Sequence, residues 1–354
     1  MRLDAAGLAA AAAEEAGVPI LARILKDRGI VTERQLQEAI QHQVLYGGRL
    51  GTNLYELGFI TEERLLEALG RAHGVPAVAV DPREIQPETL SLVPKAVVAK
   101  HKVFPYRLKG RTLVLLMVSP NDHTAVAKIG YSLGYIVKPQ VVPEFRMIQL
   151  LRDYYGVDER WRFSDTHRPE RLLVQPVDLE TAAARIDAAS TRDEVVESLL
   201  ALCNHFFRRV VFFIVREPWV LGWSGIGEGM DRGLAGSFRI PLDQPSIFRT
   251  VARDKTVFIG RVGPEEEDRR YASRLGKRPT TNAALFPILV KGRAVNLVYG
   301  DAGASGNVKA DMGQLMVLLQ RVPRAYLRII RQRIAATRKA AVPGDAREAE
   351  KGDE

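Results

Sequence analysis

The chain is short of the residues that mark several familiar protein classes. One residue in 354 is cysteine, Cys203. A lone thiol excludes an internal disulfide framework and any zinc site built on several thiolates. It lies in Glu194–Phe207, which reads as an amphipathic helix, and so reads as a buried small hydrophobe rather than a reactive thiol. No apolar run approaches the roughly 20 residues that span a bilayer. Leu8–Ala13 is flanked by Asp4, Glu14 and Glu15 and lacks the basic-then-apolar layout of a signal peptide, so the expected location is cytoplasmic. The six histidines show no His-Glu-x-x-His spacing. Gly222-Trp223-Ser224-Gly225-Ile226 lacks the second glycine of a nucleophile elbow, with Ile226 in its place. No Gly-x-x-x-x-Gly-Lys-Ser/Thr occurs. Its nearest approach, Gly276-Lys277, has Tyr271 in place of the first glycine and Arg278 in place of the hydroxyl. No catalytic residue, metal ligand or resident cofactor is therefore expected, and an enzyme is the least supported reading.

What is present is an ordinary soluble composition, 46% hydrophobic and 26% charged, with room for two or three domains. The net charge of +9 is uneven, because Met312–Pro343 holds seven Lys or Arg and no acid. The dominant pattern is a repeat. Residues 20–43 recur at 49–72. Leu21 matches Leu50, Leu25 matches Leu54, Gly29 matches Gly58 and Thr32 matches Thr61; Glu33/Glu62, Leu36/Leu65, Glu38/Glu67 and Ala39/Ala68 follow. One supersecondary unit used twice is the usual meaning of such a period. Each copy reads as a short helix ended by a left-handed glycine, then a second helix capped by threonine, with Gln35 completing a capping box.

The remainder reads as an α+β protein. Residues 1–18 form a loose tail and 19–73 the helical repeat. Residues 74–157 form a small α/β module, with strands at Val75–Val80, Val103–Arg107, Thr112–Val118 and Ile136–Val142, and helices at Leu90–Lys100, Ala125–Leu133 and Glu144–Tyr155. A polar linker occupies 158–180. Residues 181–340 form a further unit: helix Thr191–Phe207, strands Arg209–Val215 and Trp219–Trp223, a glycine-rich loop Gly222–Gly236, helix Pro245–Arg253, strand Val257–Ile259, a hairpin Ala284–Val290/Ala294–Tyr299, and a long helix Gly313–Lys339 containing Pro323. The last residues, 341–354, read as a disordered charged tail.

These features carry two resemblances. Residues 19–157 resemble the N-terminal domain of type II secretion and type IV pilus assembly ATPases, some of which bind cyclic di-GMP through a doubled motif. That motif begins Arg-Leu-Gly, has glycine at its tenth position and ends in Gln. The second copy here has Arg49-Leu50-Gly51, Leu54 and Gly58 but ends in Ala72; the first begins Ile20-Leu21-Ala22, has Gly29 and keeps the closing Gln43. The resemblance implies cyclic di-GMP as ligand, with Arg49 reading guanine, Gly51 admitting phosphate, and Leu50, Leu54, Gly58, Gly29 and Gln43 shaping the surface. The unit at 181–340 resembles a GAF-like domain, an antiparallel sheet flanked by helices, on Phe286–Arg293 followed by Val295 and Tyr299-Gly300-Asp301.

On the last helix, Leu315, Leu319, Val322, Tyr326 and Ile330 line one side and Arg321, Arg324, Arg328 and Arg331 the other. The alternatives are a helix packed on the sheet, a homodimer contact, and arginines that dock an acidic partner. Nucleic acid lacks a recognised motif. The favoured reading is a non-catalytic regulator responding to cyclic di-GMP, with a partner in secretion, pilus or signalling machinery. The alternative is an interaction scaffold that has lost the nucleotide.

Overall fold

The computed structural model describes residues 20–157, 176–230, 232–275, 282–303 and 312–340. The expected tails, most of the expected linker and the Gly276-Lys277-Arg278 stretch lie outside them. The chain divides into two compact units. One takes Met1–Gln43, Gly47–His167 and Gln332–Glu354; the other takes Val44–Tyr46 and Arg168–Arg331.

In the first unit the repeat folds as two blocks with one hydrogen-bond frame. Block one is helix α1 (20–27) and helix α2 (Glu33–Tyr46); block two is α3 (Leu50–Glu56) and α4 (Glu62–His73). Gly29 and Gly58 end the first helices at φ +62° and +71°. After each, the chain returns a main-chain N–H to the leucine of the ended helix, Ile30 to Leu25 and Phe59 to Leu54, both at 2.9 Å. Open space surrounds both glycines, so the left-handed backbone alone requires them. Thr32 and Thr61 cap α2 and α4, and Thr32 with Gln35 forms the expected capping box. Leu21, Leu25, Leu36, Ala39 and Ile40 bury with Leu50, Leu54, Leu65 and Ala68 in one shared core.

The α/β module follows: a 3-10 turn (Pro82–Glu84), α5 (Pro87–Leu90), α6 (Lys95–His101), β1 (Val103–Lys109), β2 (Thr112–Met117), α7 (His123–Leu133), β3 (Ile136–Val141) and α8 (Glu144–Tyr155). The sheet runs β1-β2-β3, antiparallel then parallel. Two expectations need correction. Val75–Val80 is no strand but a single bridge, Ala77 to Val141. Leu90–Lys100 is two helices, because Pro94 has an extended backbone (ψ 139°) and caps α6 instead of continuing α5.

The second unit contains α9 (Leu179–Ala188), α10 (Arg192–Cys203), β4 (Arg209–Arg216), β5 (Trp219–Gly227), α11 (Arg232–Gly236), β6 (Arg239–Pro241), α12 (Ile247–Asp254), β7 (Phe258–Arg261), α13 (Glu266–Arg274), β8 (Asn282–Val290), β9 (Arg293–Asp301) and the long helix α14 (Gly313–Ala340), whose residues from Gln332 on belong to the first unit. Its six strands run β6-β5-β4-β9-β8-β7, antiparallel throughout, with helices around them. The glycine-rich stretch is mostly strand and helix, with a turn at 228–230. Gly222, Gly225 and Gly227 lie in β5, and Gly233 and Gly236 in α11. A Cβ on Gly222 would sit 1.8 Å from the Ala235 carbonyl oxygen, and one on Gly227 1.9 Å from that of Arg208. Close backbone approach selects glycine here. Helix α10 is buried nearly all round, Cys203 included, instead of amphipathic. Helices α9 and α13 were not expected; α13 hides in charge, since Tyr271 and Ala272 are its buried apolar residues.

Candidate functional site

The residues expected to hold a nucleotide separate into three environments. Leu50, Gly51 and Leu54 are buried in the repeat core. A Cβ on Gly51 would lie 2.8 Å from Leu65 Cδ1, and the matching residue of block one, Ala22, is fully buried. Gly51 therefore serves close helix packing. Gly29 and Gly58 sit exposed at helix ends. Gln43 and Arg49 are half-buried and come together at the turn between the blocks.

That turn is built tightly. Gly47 and Gly48 both have positive φ (+78° and +77°), which reverses the chain after α2. Gln43 Nε2 donates to the Gly48 carbonyl at 2.9 Å. Asn53, buried in α3, donates to the carbonyls of Gly47 (3.1 Å) and Arg49 (2.8 Å), while His42 Nδ1 lies 2.6 Å from Asn53 Oδ1. The start of α3 is closed from a distance: Glu144 Oε2, at the head of α8, accepts from Arg49 N at 2.9 Å and from Thr52 Oγ1 at 3.2 Å. A buried carboxylate is satisfied there because it meets a helix N-terminus and a hydroxyl.

The Arg49 guanidinium reaches the end of β2. Nη2 donates to Ser119 Oγ at 2.5 Å and Nη1 to the Val118 carbonyl at 3.4 Å. His73, the last residue of α4, is held neutral down to about pH 4, first by burial and then by the Arg49 charge. Its Nδ1 is buried without a hydrogen-bond partner. Arg49 thus has a structural occupation before any ligand arrives. Glu144, Ser119 and His73 escaped sequence reasoning because they join Arg49 only through the fold; Glu144 is 95 residues away along the chain.

The four α14 arginines divide as well. Arg321 pairs with the Asp187 carboxylate. Arg328 donates to the main-chain carbonyls of Asp187, Ile186 and Ala189, closing the C-terminus of α9. Both serve the fold of the second unit. Arg324 and Arg331 are exposed. The sheet face under α11, α12 and α13 is filled by Phe213, Phe238, Phe248, Tyr271 and Tyr299. The same unit opens a cleft of about 550 Å³ lined by Trp219, Arg239, Asp243, Glu265 and Arg270. No group of three or more His, Cys, Asp or Glu able to hold a metal occurs among the described residues. No described helix is long and apolar enough to cross a membrane.

Residues 73–161 match the MshEN domain family. The type IV pilus assembly ATPase PilB of Myxococcus xanthus is 31% identical over 136 residues, covering 38% of this chain and 24% of that protein. The chain thus spans about a quarter of the length of that curated relative. A solved structure of MshE with cdg is 28% identical and covers 38% of this chain and 98% of that one, with a TM-score of 0.32. A solved GAF domain from an Acinetobacter phosphoenolpyruvate-protein phosphotransferase is 10% identical and covers 42% and 90%, with a TM-score of 0.32. Residues 73–161 thus match the MshEN domain, and 38% of this chain is homologous to part of a type IV pilus assembly ATPase.

Proposed function

We propose that the chain is a non-catalytic cytoplasmic regulator that senses cyclic di-GMP through its second repeat block and transmits the signal to a protein of pilus or secretion machinery. The observation that carries this reading is the shared frame of the two blocks, in which the second keeps Arg49 at its head where the first has Ile20. One guanine is read by Arg49 and the other meets an apolar head, so the site is half of a symmetric one. The homologous ATPase region and MshE with cdg lend support, and the lack of a phosphate-cradling glycine motif argues against a motor in this sequence.

Calorimetric titration of the full chain with cyclic di-GMP tests the reading. Heat that disappears in Arg49→Ala supports it, and no heat at high micromolar ligand rejects it. A second reading, an interaction scaffold without nucleotide, is favoured by one observation: the Arg49 guanidinium already bonds Ser119 and Val118. Under that reading the exposed Arg324 and Arg331 are the docking residues that remain.

A further inference from the structure

The two repeat blocks offer the same acid at the same place. Glu33 and Glu62 each follow the capping threonine, as the first residues of α2 and α4. Glu62 takes Arg146 of α8, with Nε 2.9 Å from Oε1 and Nη2 on Oε2. Beside that pair Phe145 packs against the repeat core and stacks on Tyr55 at 4.2 Å between ring centres. Glu33 takes Arg338, with Nε 2.8 Å from Oε1, and Ile334, one turn earlier on α14, packs against the same core. Each block therefore grips a helix that presents an apolar residue and an arginine. Both grips lie within the first unit.

The two grips differ in depth. The Glu62 and Arg146 side chains are 19% and 30% exposed, and the pair is two-pronged. Glu33 and Arg338 are 34% and 59% exposed and joined by one bond. Exposed single pairs contribute little, whereas forked and sheltered pairs contribute more. Release of Arg338 also leaves Glu33 with Lys26, 3.1 Å away, so no acid is stranded.

We infer that the first repeat block is a docking site for a short basic amphipathic helix, and that residues 332–340 are its own, detachable occupant, a latch, while α8 is the permanent occupant of the second block. The latch frees the first block without disturbing the repeat.

Hydrogen exchange of the full chain, read by mass spectrometry, tests this. Arg338→Glu is expected to speed exchange within 332–340 roughly three- to fivefold, with α2 and α8 unchanged. The charge exchange Glu33→Arg with Arg338→Glu is expected to restore slow exchange. Simple fraying of a helix end predicts no such rescue. Ile334→Asp, which leaves Glu33 untouched, is expected to act like Arg338→Glu. Unchanged exchange in both single variants, or failure of the charge exchange to restore protection, overturns the latch. None of these outcomes depends on cyclic di-GMP, so the latch and the nucleotide reading fail separately.

Discussion

If Arg49 reads guanine, it must first leave Ser119, and this competition can be weighed. A guanidinium meeting the O6/N7 edge of guanine contributes about 1–3 kcal/mol. Hydrogen bonds to a charged group contribute about 1.5–3 kcal/mol when sheltered, and the Arg49–Ser119 bond is short, at 2.5 Å, on a half-buried side chain. The two terms nearly cancel, so under the proposed reading the intact chain is expected to bind the nucleotide weakly. Ser119→Ala removes the competitor and leaves the Ser119 main chain, which accepts from Asp122 N at 3.1 Å, in place. The expected result is tighter cyclic di-GMP binding by about tenfold, equivalent to about 1.4 kcal/mol, together with a fold weakened by about 1 kcal/mol. Calorimetry measures the first and urea unfolding the second. Arg49→Ala should abolish binding. It should also let the His73 titration rise from about 4 toward the ordinary 6.5 without reaching it, because burial is the larger cause. Binding by Ser119→Ala that is equal to or weaker than wild type refutes the competition, since Arg49 then does not exchange Ser119 for guanine.

Three further expectations follow from the same structure. Thr32→Ala should cost about 1–2 kcal/mol and Thr61→Ala about 0.5 kcal/mol in urea unfolding, since Thr32 sits in a full capping box at 3.2 Å while the Thr61 bond is 3.5 Å long. Gly222→Ala puts a methyl 1.8 Å from a main-chain oxygen and should cost more than about 4 kcal/mol, seen as loss of the near-ultraviolet signal of Trp219 and Trp223. Burial pushes Asp268 up from 3.8 to about 6 although it accepts from Ile247 N. Its folded-state value lies above its unfolded one, so its contribution is fullest below 3.8 and is lost as pH rises through about 6. Asp268→Asn should flatten that part of the Tm–pH curve, and an unchanged slope refutes it.

Local rules carried the sequence reading far and then stopped for identifiable reasons. The glycine stops, threonine caps and buried leucines of the repeat were legible because each is a contact within a few residues. The strands of the hairpin β8–β9 were legible because Lys291 and Gly292 mark a turn with positive φ between alternating runs. Helix α13 was not, because its run of acids and arginines shows almost no apolar period. The glycines of β5 misled because a glycine demanded by close approach looks, in one dimension, like a glycine demanded by flexibility. Around Arg49 the partners Ser119, Glu144 and His73 are supplied by three other elements, and no local pattern announces them.

The duplication itself sorts packing from function, because each block is a control for the other. Positions alike in both copies and buried, such as Leu25/Leu54 and Ala39/Ala68, are demanded by the shared core and say nothing of a ligand. Gly51 joins them: its counterpart Ala22 fills the same buried place with one more carbon, so a nucleotide is not needed to explain either. Glu33/Glu62 are alike yet reach the surface, and both are used to hold an arginine of another helix. The heads of the blocks differ, Ile20 against Arg49, and there the second copy has an anchor just past the end of β2. Introducing the missing group, Ile20→Arg, therefore separates the readings. If the heads are the two halves of one nucleotide site, the variant should bind cyclic di-GMP about ten- to hundredfold more tightly, the range of one added guanine contact. If Arg49 is only a strut between α3 and β2, a second arginine has nothing to read and affinity stays where it was.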